Sequence, residues 1–206
     1  GQVWQRLHNF TNVEGQVWQR LHNFTNVVFG VTLDPNHTSR LYAAVVHSTK
    51  GGFYVSSNIH LGISATWSKL AAPPRTEGHP YHLRVLSDGA LVAVYSGRRT
   101  AAGAFTASSG VFVSTNGGAS WTDRSSTNFW YWSKDLVLDP ADPGQSTWYV
   151  GVFSGWGGAP NGKGGLYRTT DRGLNWTRIL NRDRVTSCTF SPLSTQVVWV
   201  TTETEG

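Results

Sequence analysis

With 206 residues, 39% hydrophobic and 14% charged, the chain is long enough to bury a core and too apolar to stay disordered. Ten tryptophans and 23 glycines, without a long amphipathic helical pattern, predict many short strands joined by tight turns and almost no helix. The formal charge of +5 and a pI near 9.6 permit an acidic partner, but the basic residues are scattered and form no run of five, which argues for a solvated basic surface and against nucleic-acid binding.

Cys188, the single cysteine, excludes an internal disulfide and a cysteine-based zinc site, and its strand-like setting predicts burial. No segment approaches 18 apolar residues and no basic-then-apolar leader is legible, so no membrane span is expected. The absence of methionine suggests a processed or excised chain. Asn9, Asn23, Asn36 and Asn175 head glycosylation sequons, two of them copies of each other.

Residues 1–14 and 15–28 carry the same text up to their last position, Gly-Gln-Val-Trp-Gln-Arg-Leu-His-Asn-Phe-Thr-Asn-Val. Natural repeats drift, so residues 1–14 are expected to be extraneous to the fold and 15–206 to form one domain. From Phe29 the chain falls into units of four strands. Strands are predicted at Val31–Pro35, Arg40–Val46 and Gly52–Val55, then at Tyr81–Leu86, Ala90–Tyr95, Gly110–Val113 and Trp121–Arg124. A third unit takes Asp135–Asp139, Thr147–Phe153, Gly165–Arg168 and Trp176–Leu180, and a fourth begins at Val185–Ser191 and Val197–Thr201. Trp18, Trp67, Trp121 and Trp176 recur at intervals of 49, 54 and 55 residues, the period of a repeat architecture.

One stretch punctuates this period. Ser114-Thr-Asn116-Gly-Gly118-Ala-Ser-Trp121 and Thr169-Thr-Asp171-Arg-Gly173-Leu-Asn-Trp176 share the pattern [Ser/Thr]-x-[Asp/Asn]-x-Gly-x-x-Trp. It suits a hairpin turn, with a short hydroxyl or carboxylate side chain bonding the turn amides and glycine supplying the positive φ. A third copy opens at Ser56-Ser-Asn58 and closes late at Trp67, as though the turn carried an insertion. The motif resembles the Asp-box, or BNR repeat, of sialidases, xyloglucanase-type glycoside hydrolases, sortilin-type receptors and photosystem assembly factors. That resemblance implies an all-β fold, a β-propeller of four-stranded antiparallel blades, here three complete blades and two partial ones. It also implies that Ser114, Asn116, Gly118, Trp121, Thr169, Asp171, Gly173 and Trp176 are structural. Propellers of this kind close with more blades, so three outcomes stand. The chain is a piece of a larger ring, which ranks first; copies self-associate to complete one; or its ends close a small ring.

In such blades the connections from the second to the third strand, and from the fourth to the next first strand, share the face on which propellers hold ligands. That face collects Arg75, Glu77, His79, Tyr81, His82, Arg98, Arg99, Phe129, Trp130, Tyr131, Trp132, Lys134, Asp135, Trp156, Asn161, Lys163, Arg182, Asp183 and Arg184. Flat aromatic rings stack on the C–H faces of sugars while charged groups bond the hydroxyls, so Trp130, Tyr131, Trp132, Lys134, Trp156, Arg98 and Arg99 are the candidate ligand-binding residues. The competing reading is that some of the aromatics plug the space between blades.

Glycosidases need a pair of carboxyl groups, and Asp135, Glu77 and Asp183 are the acids on this face. The Asp-(Ile/Val)-Gly-Gly motif of xyloglucanases and the Arg-Ile-Pro segment of sialidases have no match in the sequence. The expected function is therefore glycan binding or glycoside hydrolysis of the xyloglucanase type, with an extracytoplasmic location, a polysaccharide or oligosaccharide partner and no cofactor or metal. The alternative is a non-catalytic protein-interaction scaffold of the sortilin or assembly-factor kind.

Overall fold

The computed structural model describes residues 22–104, 106–129, 132–154 and 162–203. These form three four-stranded antiparallel sheets and one two-stranded sheet, with every complete sheet ordered as its strands occur in the chain. The first blade comprises β1 (Val27–Asp34), β2 (His37–Val46), β3 (Gly52–Ser56) and β4 (Ser68–Lys69). The second comprises β5 (Pro80–Val85), β6 (Leu91–Tyr95), β7 (Gly110–Ser114) and β8 (Thr122–Asp123). The third comprises β9 (Trp132–Leu138), β10 (Trp148–Phe153), β11 (Gly165–Thr169) and β12 (Thr177–Leu180), and the last pair is β13 (Val185–Ser191) with β14 (Ser194–Thr202). Helix is confined to two 3-10 segments, Ile59–Ser64 and Thr127–Phe129, among the described residues. This is the propeller-type arrangement the repeat period predicts.

The central strands read as unbroken apolar runs because both their faces are covered by neighbouring blades. Successive strand side chains point to opposite faces. In β6, Leu91, Ala93 and Tyr95 therefore pack with Tyr42, Ala44 and Phe53 of the first blade, while Val92 and Val94 pack with Trp148, Val150 and Val152 of the third. Full burial of each such valine contributes roughly 1.5–3 kcal/mol. In β10 the alternation continues, and Tyr149 turns the other way to meet Cys188 and Phe190 of the last pair. Gly151 in this strand has no room for a side chain, since a Cβ there would stand 2.8 Å from Val185 Cγ1. The first and last strands are exceptions, with Val31 and Leu33 of β1 and Val197 and Trp199 of β14 exposed.

The repeated turns close through the same bonds in each blade. Ser114 Oγ donates to Asn116 Oδ1 at 2.9 Å and accepts the Gly118 amide at 2.9 Å, and Asn116 Oδ1 accepts the Ser120 amide at 2.9 Å. Thr169 and Asp171 repeat this with the amides of Gly173, at 3.0 Å, and Asn175, at 2.9 Å. Gly118 has φ 88°, in the left-handed region that favours glycine, and its α-carbon lies against Leu70. In the first blade Ser56 and Asn58 make the opening contact, the Ile59–Ser64 segment loops out, and the Thr66 amide still returns to Asn58 Oδ1 at 2.9 Å. The insertion thus leaves the closing bond intact.

The tryptophan after each turn ties one blade to the previous one. Trp121 Nε1 donates to Ala71 O at 2.8 Å, and Trp176 Nε1 donates to Arg124 O at 2.7 Å. Each acceptor lies just beyond the outermost strand of the preceding blade. Trp67 Nε1 is buried and finds no acceptor among the described residues.

Several strands start earlier than the sequence expectation, with β1 at Val27 and β14 at Ser194, and for two of them the bonds made at the start supply the reason. β2 begins at His37, because Asp34 caps the tight turn by bonding the Asn36 amide at 2.8 Å. β9 begins at Trp132, three residues before the predicted start. Ser133 and Lys134 look too polar for a strand, but the Ser133 amide donates to Ser109 Oγ of the second blade at 2.8 Å, and Ser133 is fully buried.

Candidate functional site

The connection from β4 to β5 and the connection from β6 to β7 meet at one end of the blades. The Ser96 amide donates to His79 O at 2.8 Å, the His47 amide to Gly78 O at 3.1 Å, and Thr106 Oγ1 to Glu77 Oε2 at 2.8 Å. Arg75 locks this junction: it pairs with Asp123 at 2.7 Å, donates to Ala107 O, Ser109 O and Ser125 Oγ, and lies over the Phe112 ring. It is spent on the scaffold. The start of β9 reaches the same end through a bridge between Ser96 and Trp132.

A cleft of about 410 Å³ opens between these segments, lined by Phe29, Val46, His79, Tyr81, Ser96, Gly97, Arg98, Arg99 and Trp132. The Phe29 and Tyr81 rings stand 4.2 Å apart. Trp132 and Lys134 lie two apart on β9 and so share a face. The Lys134 ammonium sits 5.5 Å from the Trp132 ring centroid, 4.8 Å from Phe153 and 6.0 Å from Tyr81. Burial among these rings pushes the Lys134 pKa below the ordinary lysine value, with Glu203 acting weakly in the opposite sense. The His79 pKa is likewise lowered, by burial first and then by the Arg98 charge. Burial raises the pKa of the Tyr81 phenol.

Arg98 is held at its backbone and open at its tip. Its amide donates to Thr106 Oγ1 at 3.3 Å and Ser108 Oγ at 3.2 Å, and its carbonyl accepts the Thr106 amide at 2.9 Å. Among the described residues its guanidinium donates to no protein acceptor.

Of the predicted ligand-binding residues, Arg98, Arg99 and Trp132 thus come together in one cleft, with Lys134 against its rim. Trp130, Tyr131 and Trp156 lie outside the described residues. Phe129 belongs to the core instead, fully buried with Tyr167 at 5.0 Å and Trp176 at 4.9 Å. Phe29 and Val46 were not singled out by the sequence. Their place on the cleft follows from the register of β1 against β2, which no local motif encodes.

None of the three acids lines the cleft. Asp135 is 7% exposed and joins the third blade to the last pair, accepting Ser187 Oγ at 2.7 Å and the Cys188 amide at 2.9 Å. His82 Nε2 lies 3.5 Å from its other oxygen, and burial lowers the pKa of that histidine despite the Asp135 charge. Asp183 organises the β10–β11 connection by accepting Ser154 Oγ at 2.8 Å and the amides of Gly164 at 2.7 Å and Gly162 at 3.2 Å. Glu77 accepts the Thr106 hydroxyl at the base of the cleft region. Among the described residues no three His, Cys, Asp or Glu side chains are grouped to hold a metal ion, and no helix is long and apolar enough to cross a membrane.

No protein-family model matches the chain, and no curated protein does. Among solved structures, an ancestral GH74 enzyme superposes on 90% of this chain with a TM-score of 0.61 at 18% sequence identity. The chain spans 23% of that enzyme's length. A likeness at this identity establishes the fold, a propeller-type arrangement of four-stranded blades shared with a β-propeller glycoside hydrolase.

Proposed function

We propose that this chain is a carbohydrate-binding segment of an Asp-box propeller of the xyloglucanase type, which holds an oligosaccharide in the cleft between its first three blades and does not hydrolyse it. The observation that carries the reading is the cleft itself: the half-buried Tyr81 and Trp132, Phe29, Arg98 and Arg99 line a space of about 410 Å³, within the range of ~300–1,000 Å³ usual for ligand pockets. Aromatic faces and planar donors are the combination that sugars require. The fold shared with the GH74 enzyme supports the same substrate class.

The absence of hydrolysis follows from the acids. Asp135 and Asp183 are committed to bonds that hold blades and loops together, and neither borders the cleft. A retaining or inverting mechanism needs two carboxyl groups across the scissile bond, roughly 5–10 Å apart. The protein-scaffold alternative draws on that same lack of a carboxyl pair.

The test is calorimetric titration of the chain with a panel of neutral and acidic plant oligosaccharides, alongside an assay for new reducing ends. Wild type is expected to bind at least one member and release no reducing ends, and Tyr81→Ala to weaken binding at least tenfold. A panel with no binder would end the glycan reading in favour of the scaffold. Light scattering on the same samples reads whether copies join through the uncovered β1 face to extend the ring.

A further inference from the structure

We propose that the cleft selects an anionic sugar, a uronate ring whose carboxylate is received by Arg98 while the ring stacks against Tyr81 or Trp132. This rests on the glycan reading above and adds the charge of the ligand to it.

Several arginines elsewhere are tied to acceptors. Arg40 pairs with Asp34 at 3.1 Å, Arg75 with Asp123, Arg172 with Asp88 at 2.5 Å, and Arg178 donates to Gly162 O at 2.9 Å. Arg98 differs. Three backbone bonds fix its position, yet among the described residues its guanidinium donates to no acceptor. Glu77, on the connection that meets the Arg98 loop, accepts the Thr106 hydroxyl at 2.8 Å, and no carboxylate is among the residues that line the cleft. A planar guanidinium presented without a partner matches a carboxylate through two parallel N–H···O bonds, stronger than neutral hydrogen bonds.

The surroundings favour the same sign. Arg99 lines the cleft beside Arg98, and the Lys134 ammonium lies over the Trp132 ring. Low-dielectric aromatic walls strengthen the attraction of these cations for an anion relative to water. A neutral sugar ring would stack on the aromatics equally well but would leave the Arg98 guanidinium with hydroxyl partners alone. The requirement for a ring with an apolar face sets a uronate apart from a nucleic-acid phosphate, since the wall groups form a single small cleft and not a track for a backbone.

The experiment titrates the full chain with trigalacturonate, its methyl ester and a neutral xyloglucan oligosaccharide, for wild type, Arg98→Gln and the remote control Arg168→Gln. The ester keeps the ring and removes only the charge. The acid is expected to bind wild type at least tenfold tighter than the ester, Arg98→Gln to abolish that difference by weakening the acid far more than the ester, and Arg168→Gln to change neither. Equal affinity for acid and ester would overturn the charge selectivity and leave the glycan reading standing. No binding of any of the three sugars would overturn both. An equal loss in Arg98→Gln and Arg168→Gln would show unspecific attraction to net charge and overturn the assignment to Arg98, as would tighter binding of a deoxythymidine oligomer than of trigalacturonate.

Discussion

Replacing Trp176 with phenylalanine isolates the bond that joins the third blade to the second. The indole N–H donates to Arg124 O at 2.7 Å, and the ring packs edge-on against Phe129 at 4.9 Å. Phenylalanine keeps much of the aromatic contact but leaves the Arg124 carbonyl without its donor. An unpaired, half-buried acceptor costs about 1–3 kcal/mol, and the smaller ring forfeits part of an edge-to-face pairing of about 0.5–1.5 kcal/mol. A loss of about 2 kcal/mol, divided by a urea dependence of about 2 kcal/mol per molar, moves the unfolding midpoint down by about 1 M. Far-UV circular dichroism is the appropriate readout, because fluorescence would be altered by the substitution itself. The three tryptophans provide an internal comparison. Trp121→Phe removes an equivalent bond to Ala71 O at 2.8 Å and should cost a similar amount. Trp67 follows the same motif, but its buried Nε1 has no acceptor among the described residues. Trp67→Phe should therefore cost clearly less than either, because only part of the ring packing against Phe24 and His22 is lost. Equal destabilisation by all three substitutions would refute the assignment of stability to the interblade bonds.

Two further outcomes follow from the titratable groups. The Asn175 amide, then the Asn175 side chain and the Thr169 hydroxyl, hold the Asp171 carboxyl down at about 2, against 3.8 for a free aspartate. A depressed carboxylate stabilises the fold above its unfolded value, and that contribution is lost as pH falls from about 4 through about 2. Asp171→Asn, which copies the residue used at Asn116, should thus show a stability difference from wild type that shrinks over this window in acid urea titrations; a constant difference would contradict it. Burial pushes the Cys188 thiol up to about 12, and the side chain is 3% exposed. Ellman's reagent at pH 8 should label it only at the rate of global unfolding, and prompt labelling of the folded chain would show that the last strand pair detaches from the third blade.

The blade grammar was legible in the sequence because it is local. A strand, a turn built on a hydroxyl and glycine, and a tryptophan all fall within a dozen residues, and each carries its own signature, so the sheets appear where the pattern puts them. The boundaries that moved did so for non-local reasons. Ser133 and Lys134 read as loop until Ser109, 24 residues away, accepts the Ser133 amide. The loop assignment read from the sequence also anticipates that Arg98, Arg99 and Trp132 share one end of the blades. It does not reveal which polar residues are already engaged. Arg75 and Asp183 have the same composition and loop setting as a ligand-binding pair, yet both are consumed by loop carbonyls, amides and hydroxyls of the scaffold. Phe129 and Trp132 stand three residues apart in one aromatic cluster. One became core and the other cleft wall, because the 3-10 turn at Thr127–Phe129 points the first inward just before β9 begins.

This division of labour explains how the aromatic and basic residues left over among the described ones come to line a cleft at one end of the blades. Blade-to-blade packing consumes the residues on the strand faces, and interblade bonds from Trp121, Trp176 and Asp135 fix how the blades sit against one another. The loops at one end are then cross-linked by Arg75, Glu77 and the buried serines, which leaves them little freedom. Walls fixed in this way lower the ordering entropy that binding would cost. Rigidity of the scaffold and the placing of Arg98 are therefore linked: the bonds from its backbone to Thr106 and Ser108 hold it on the cleft wall, where among the described residues its guanidinium meets no acceptor.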